Sequence, residues 1–144
     1  MPAVGAIRAR PAVRSETMPA MTAIARLGAV ALDAPDPGRL ARFYQEVLDL
    51  EVIFENDSFV ALKGAGVLLT IQQVADLTPA TWPEGDVPKQ IHLDLAVDDL
   101  DTAESALLAA GATTAATQPA PDRWRVLIDP AGHPFCVTTL IPEV

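Results

Sequence analysis

The sequence predicts an α+β fold: two βαβββ modules that pair into a U-shaped mixed sheet with the helices on its outer face. Three observations lead there. A strand-like run, Ala29-Val30-Ala31-Leu32-Asp33-Ala34-Pro35-Asp36, opens into a helical pattern, and sixty-three residues later His92-Leu93-Asp94-Leu95-Ala96-Val97-Asp98-Asp99 opens into another. Three short strand-like runs follow each helical pattern. Half of the 144 residues are hydrophobic, enough for two half-open sheets to cover each other.

The elements follow in order. In the first helical segment Leu40, Phe43, Tyr44, Val47 and Leu48 recur at the spacing of one apolar stripe. Asp36 stands where a cap is needed, just before Pro37. Strands are expected at Glu51–Glu55, Ser58–Lys63 and Val67–Val74, with turns at Asn56-Asp57 and Gly64-Ala65-Gly66. That glycine pair lies between strands and not before a helix, so it reads as a hairpin turn and not a phosphate loop. The second helix spans about 99–110 and ends at Gly111. Strands follow at Ala112–Thr117, Trp124–Asp129 and Phe135–Leu140, the last two joined by Asp129-Pro130-Ala131-Gly132.

Residues 1–20 differ from the rest. They carry Arg8, Arg10 and Arg14 against one acid, Glu16, and read as a flexible tail, with Met18 or Met21 as alternative starts. A single domain is expected over 21–144, with a first module at about 22–76, a linker at about 77–88 and a second module at about 89–141. Without the tail the chain has seven bases and eighteen acids. The net charge of −9 argues against nucleic acid, whose binding needs clustered Lys and Arg, and against an anionic membrane surface. Cys136 is the single cysteine, so no internal disulfide forms and a cytoplasmic location is expected.

The run at 90–97 carries the chemistry. Ile91, Leu93, Leu95 and Val97 share one face, expected to pack on a helix, while Gln90, His92, Asp94 and Ala96 share the other. Polar groups on a central strand need water, a ligand or one another. The expectation is a semi-polar cavity lined by Thr70, Gln72, His92, Asp94, Cys136 and also Thr138. A small-molecule ligand would occupy it, with His92 as proton-transfer group oriented by Asp94. A mutual structural hydrogen bond between His92 and Asp94 is the alternative. Trp124 and Arg125 alternate, so only one reaches the cavity; both are candidate ligand contacts, an aromatic one or an anion-binding one. Trp82, in the Pro-rich linker, either folds over the cavity mouth or anchors the linker outside. Cys136 is expected to be a small buried residue and not a nucleophile, since nothing nearby in the sequence lowers its pKa.

The paired βαβββ pattern, with Asp36-Pro37-Gly38-Arg39-Leu40-Ala41-Arg42-Phe43-Tyr44, resembles the vicinal oxygen chelate superfamily of glyoxalase, bleomycin-resistance and extradiol-dioxygenase proteins. The runs from Trp82-Pro83 and Pro88-Lys89 through Asp101, and Asp129–Val137, resemble its glyoxalase-like branch. The resemblance covers about residues 22–141. It implies a lyase, isomerase or oxygenase when catalytic, sequestration without turnover otherwise, and in many members a divalent metal such as Zn, Ni, Mn or Fe. By position the ligands would be Ala29 and Thr70 (or Gln72) in the first module, and His92 and Cys136 in the second. Ala29 has no donor atom, so no metal is the leading expectation. Were one bound, His92, Cys136 and Asp94 would hold it; a His92, Asp94 and His133 iron triad is the other arrangement. The resemblance allows the two modules to close on each other within one chain or to exchange across a dimer; a homodimer is expected because half-sheets with open edges pair readily.

Overall fold

The computed structural model describes residues 23–64 and 66–143. The tail at 1–20 lies outside them. Two mixed four-stranded sheets carry one helix each. In the first module β1 (Ala29–Ala34) leads into α1 (Pro37–Leu48), then β2 (Glu51–Asn56), β3 (Phe59–Lys63) and β4 (Leu68–Gln73). The second has β5 (Asp94–Ala96), α2 (Leu100–Ala110), β6 (Thr113–Thr114), β7 (Trp124–Ile128) and β8 (Pro134–Thr138). Strand order is β1-β4-β3-β2 and β5-β8-β7-β6, with the first strand of each module parallel to the last and the other pairs antiparallel. The duplication read from sequence is therefore a duplication of topology.

Both helices start as their sequence dictates. Asp36 accepts a hydrogen bond from the Arg39 N–H and Asp99 one from the Thr102 N–H, satisfying donors that a first helical turn leaves free. Gly111 ends α2 at φ +120°, a conformation that favours glycine.

The alternation of each strand separates two faces. Leu32, Ala34, Val60, Leu62, Leu69 and Ile71 of the first sheet meet the helices, as do Leu95, Leu127, Phe135 and Val137 of the second, in one continuous core. Phe43 of α1 packs edge-on against Phe135 of β8 at 6.0 Å, so the two modules share that core. Two members of the expected apolar faces fall outside it. Leu48 is 39% exposed at the C-terminal end of its helix, and Ile91 is 76% exposed. Ile91 misses the core because the ladder starts only at Asp94; the chain before it touches β8 through a single bond, Cys136 N–H to the Leu93 carbonyl. The strand expected at 112–117 shortens likewise to Thr113 and Thr114.

A second connection between the modules is polar. Asp129, at the end of β7, is buried and accepts a 2.7 Å bond from the Tyr44 hydroxyl of α1. Its other oxygen accepts from the Ala131 and His133 N–H groups. Among the described residues no helix is long and apolar enough to cross a membrane.

Candidate functional site

The face of the second sheet turned away from the helices carries Asp94, Cys136, Thr138, Trp124 and Val126, because register pairs Asp94 with Cys136, Cys136 with Val126, and Thr138 with Trp124. His92 joins Asp94 there, its Nε2 lying 2.9 Å from Oδ1. The imidazole is 18% exposed and the carboxylate 38%. Cys136 stands beside them: one ligand atom from each of the three residues lies within 4.8 Å of the others. The Cys136 thiol is pushed up to about 12, first by burial and then by the charge of Asp94. It is a neutral thiol at physiological pH, as expected of a structural cysteine.

A carboxylate at Nε2 selects the neutral tautomer that carries its proton there, leaving Nδ1 as the basic nitrogen. Among the described residues Nδ1 has no hydrogen-bond partner. The carboxylate fixes the orientation of the imidazole.

Trp82 completes the site. Its ring is stacked on His92 (centroids 5.3 Å apart, planes 24° apart) and on Trp124 (5.9 Å, 13°), and it packs against the buried cluster of Trp124, Val126 and Cys136. The Lys89 ammonium sits 4.3 Å from its centroid, near enough for a cation–π contact. Of the two expectations for Trp82, the outside anchor is not realised: the indole stacks on the His92 and Trp124 face of the second sheet. On the far side of His92 a cleft of about 360 Å³ separates β1 from the chain at 87–93. His133 and Tyr44 line this cleft with His92, so both histidines of the chain border one space.

The expected lining divides. His92, Asp94 and Cys136 are together. Thr70 and Gln72 lie on the first sheet, paired with Ala31 and Asp33, and are not part of the cleft at His92. The Thr138 hydroxyl is committed to the backbone, donating to the Arg123 carbonyl and accepting from the Leu140 N–H. Trp124 faces this site and Arg125 the helices, where its guanidinium binds Asp101 and Glu104 of α2. Arg125 is therefore an anchor for α2 and makes no contact in the cavity. His133 does not join the trio: its Nε2 lies against the Asp33 carbonyl, which removes the His92, Asp94 and His133 triad. Sequence reasoning named Trp82 as one of two alternatives, without its stacking partners, and missed the Tyr44–Asp129 bond.

A metal set of the two-module kind does not fit this chain. Ala29 and Ala31 of β1 have no donor atoms, and Leu68 and Thr70 stand opposite them on β4. What remains is a trio from one module, matching in number the three protein ligands of an open zinc site.

The model of the glyoxalase-like domain matches residues 29–138. The chain belongs to this family, within the vicinal oxygen chelate superfamily. No curated protein matches it significantly. Among solved structures, a glyoxalase/bleomycin resistance protein/dioxygenase family enzyme from Burkholderia phytofirmans PsJN is similar at TM-score 0.63 and 20% identity, covering 81% of this chain and 100% of that one. The fosfomycin resistance protein FosX from Listeria monocytogenes, a mutant complexed with Mn(II) and 1S,2S-dihydroxypropylphosphonic acid, gives 0.62 and 18%, covering 81% and 94%. A lactoylglutathione lyase from Agrobacterium tumefaciens gives 0.54 and 20%, covering 78% and 91%. At such identities the likeness is one of fold.

Proposed function

We propose that this glyoxalase-like protein binds a small, mainly apolar organic molecule at the cleft beside His92. There, His92 oriented by Asp94 is the polar contact and, where the molecule is turned over, the proton-transfer group, without a metal. The carrying observation is an imidazole fixed by a 2.9 Å carboxylate bond and an indole stack while it borders a 360 Å³ space. Polar groups converging on an apolar concavity are how small-molecule sites are built. Asp94, Trp124 and Cys136 stand next to His92 on the second sheet without lining the cleft, so they, like Thr70 and Gln72 on the first sheet, would serve only a ligand that extends beyond it. A thermal-shift screen of small organic compounds tests this. Hits should lose at least tenfold in affinity in His92→Ala, and unchanged affinity would remove His92 from the site.

A second reading has its own observation, the His92, Asp94 and Cys136 trio. Those residues would hold a divalent ion, which would supply Lewis acidity toward a bound oxygen. Elemental analysis of protein purified without chelators decides: stoichiometric Zn, Ni, Mn or Fe would replace the metal-free reading. A homodimer and a cytoplasmic location are part of the proposal. Ile53, Phe54 and Val67 are 49%, 53% and 41% exposed along the first module, apolar surface that a second copy would cover. Light scattering at the monomer mass would exclude the dimer.

A further inference from the structure

The chain at 77–88 has no helix or strand. Between Thr81 and Val87 it closes on itself, through the Thr81 N–H and hydroxyl to the Val87 carbonyl and the Val87 N–H back to the Thr81 hydroxyl. Glu84, Gly85, Asp86, Val87 and Pro88 are exposed; Trp82 is half-buried. This is a self-contained lobe that packs its indole onto the second sheet.

The indole is held by stacking. Its ring lies within 24° of the plane of His92 and within 13° of that of Trp124 of β7, and it packs against the buried cluster of Trp124, Val126 and Cys136. Two flat rings, an apolar cluster and a cation at 4.3 Å are the features that select an electron-rich aromatic ring. No part of that selection depends on the ring being covalently attached.

We propose that Trp82 is a resident occupant of a ligand seat: a flat, electron-rich aromatic ring binds between His92 and Trp124 by displacing the Trp82 lobe. This rests on the reading that the ligand binds beside His92, extends that site from the cleft to the Trp82 side of the imidazole, and names the class of ring taken there. Because the tethered indole competes, the intact protein binds such rings more weakly than a protein without it, by roughly the tenfold that one stacking contact is worth.

Indole is the probe. Protein labelled with fluorotryptophan gives two fluorine resonances, one for each tryptophan of the chain, assigned with Trp124→Phe. Saturating indole is expected to move the Trp82 resonance to a solvent-exposed position, and Trp82→Ala to bind indole about tenfold tighter than the intact chain. A Trp82 resonance unmoved at saturation, or no binding of indole by the intact protein, overturns the proposal. The resonance in the intact chain decides even if Trp82→Ala does not fold. Loss of screen-hit affinity in His92→Ala with an immobile Trp82 would retain the site and remove the displacement alone.

Discussion

Tyr44→Phe deletes one oxygen from the contact that ties α1 to the end of β7. The hydroxyl is fully buried and donates a 2.7 Å bond to Asp129, whose side chain is enclosed as well. Burial and the neighbouring carboxylate hold the Tyr44 pKa well above its ordinary value, so tyrosine is the donor at all accessible pH. A bond to a buried charged acceptor contributes about 1.5–3 kcal/mol. In a domain of this size that lowers Tm by roughly 5–15 °C. The effect depends on pH with a definite sign. Burial, the largest influence, raises the Asp129 pKa, opposed by the bonds from Tyr44, His133 and Ala131. A carboxyl whose folded pKa exceeds its unfolded value of about 4 favours the fold most below that pH, and this contribution is lost as pH rises through the folded pKa. Removing the Tyr44 bond raises the folded pKa further, so the deficit of Tyr44→Phe widens from pH 4 upward. Asp129→Asn removes the titration and flattens this part of the profile. Thermal melts of the three proteins between pH 4 and pH 8 test the reasoning. A Tyr44→Phe deficit that is absent, or that shrinks with rising pH, refutes it.

Other outcomes follow from single contacts. Cys136 is 1% exposed with a thiol pushed up to about 12, so at pH 8 iodoacetamide should label it at least about a thousandfold more slowly in native than in urea-unfolded protein. Gly85 has φ +129°, and a Cβ there would collide with the Thr81 side chain. Gly85→Ala should therefore open the lobe and shift the tryptophan emission, at a cost of about 1–3 kcal/mol; an unchanged emission spectrum counts against the lobe. Arg125→Ala should lower stability by at most about 1 kcal/mol, with the difference from the intact protein shrinking in about 1 M salt. Equal denaturation midpoints at low and high salt in both proteins would show that the pairs with Asp101 and Glu104 contribute nothing.

Periodicity made most of the fold legible. The stripe at Leu40, Phe43 and Tyr44 is core, the acids at Asp36 and Asp99 are caps, and the alternation at His92 and Asp94 places both on the face away from the helices. These are local rules, and short-range physics enforces them. What stayed hidden depends on contacts across many residues. Alternation says that Trp124 and Arg125 face opposite ways but not which way; the acids of α2 at Asp101 and Glu104 decide it, because they draw the guanidinium to the helix side. The apolar run through Ile91 extends past the end of its ladder, which starts only at Asp94 although β8 begins at Pro134. Tyr44 read as one more stripe residue and Asp129 as a turn former, and neither pattern carries a mark of their mutual bond, 85 residues apart. Of the site, the pair at His92 and Asp94 was readable, and Trp82 was readable as one of two alternatives but not by its stacking on His92 and Trp124.

A crystal structure of the protein with one hit from the small-molecule screen tests the central claim most directly. The account predicts ligand density within hydrogen-bond reach of His92, with the Asp94 bond intact. Density seated on the first sheet near Thr70 and Gln72, with the His92 side of the cleft unchanged, would contradict it.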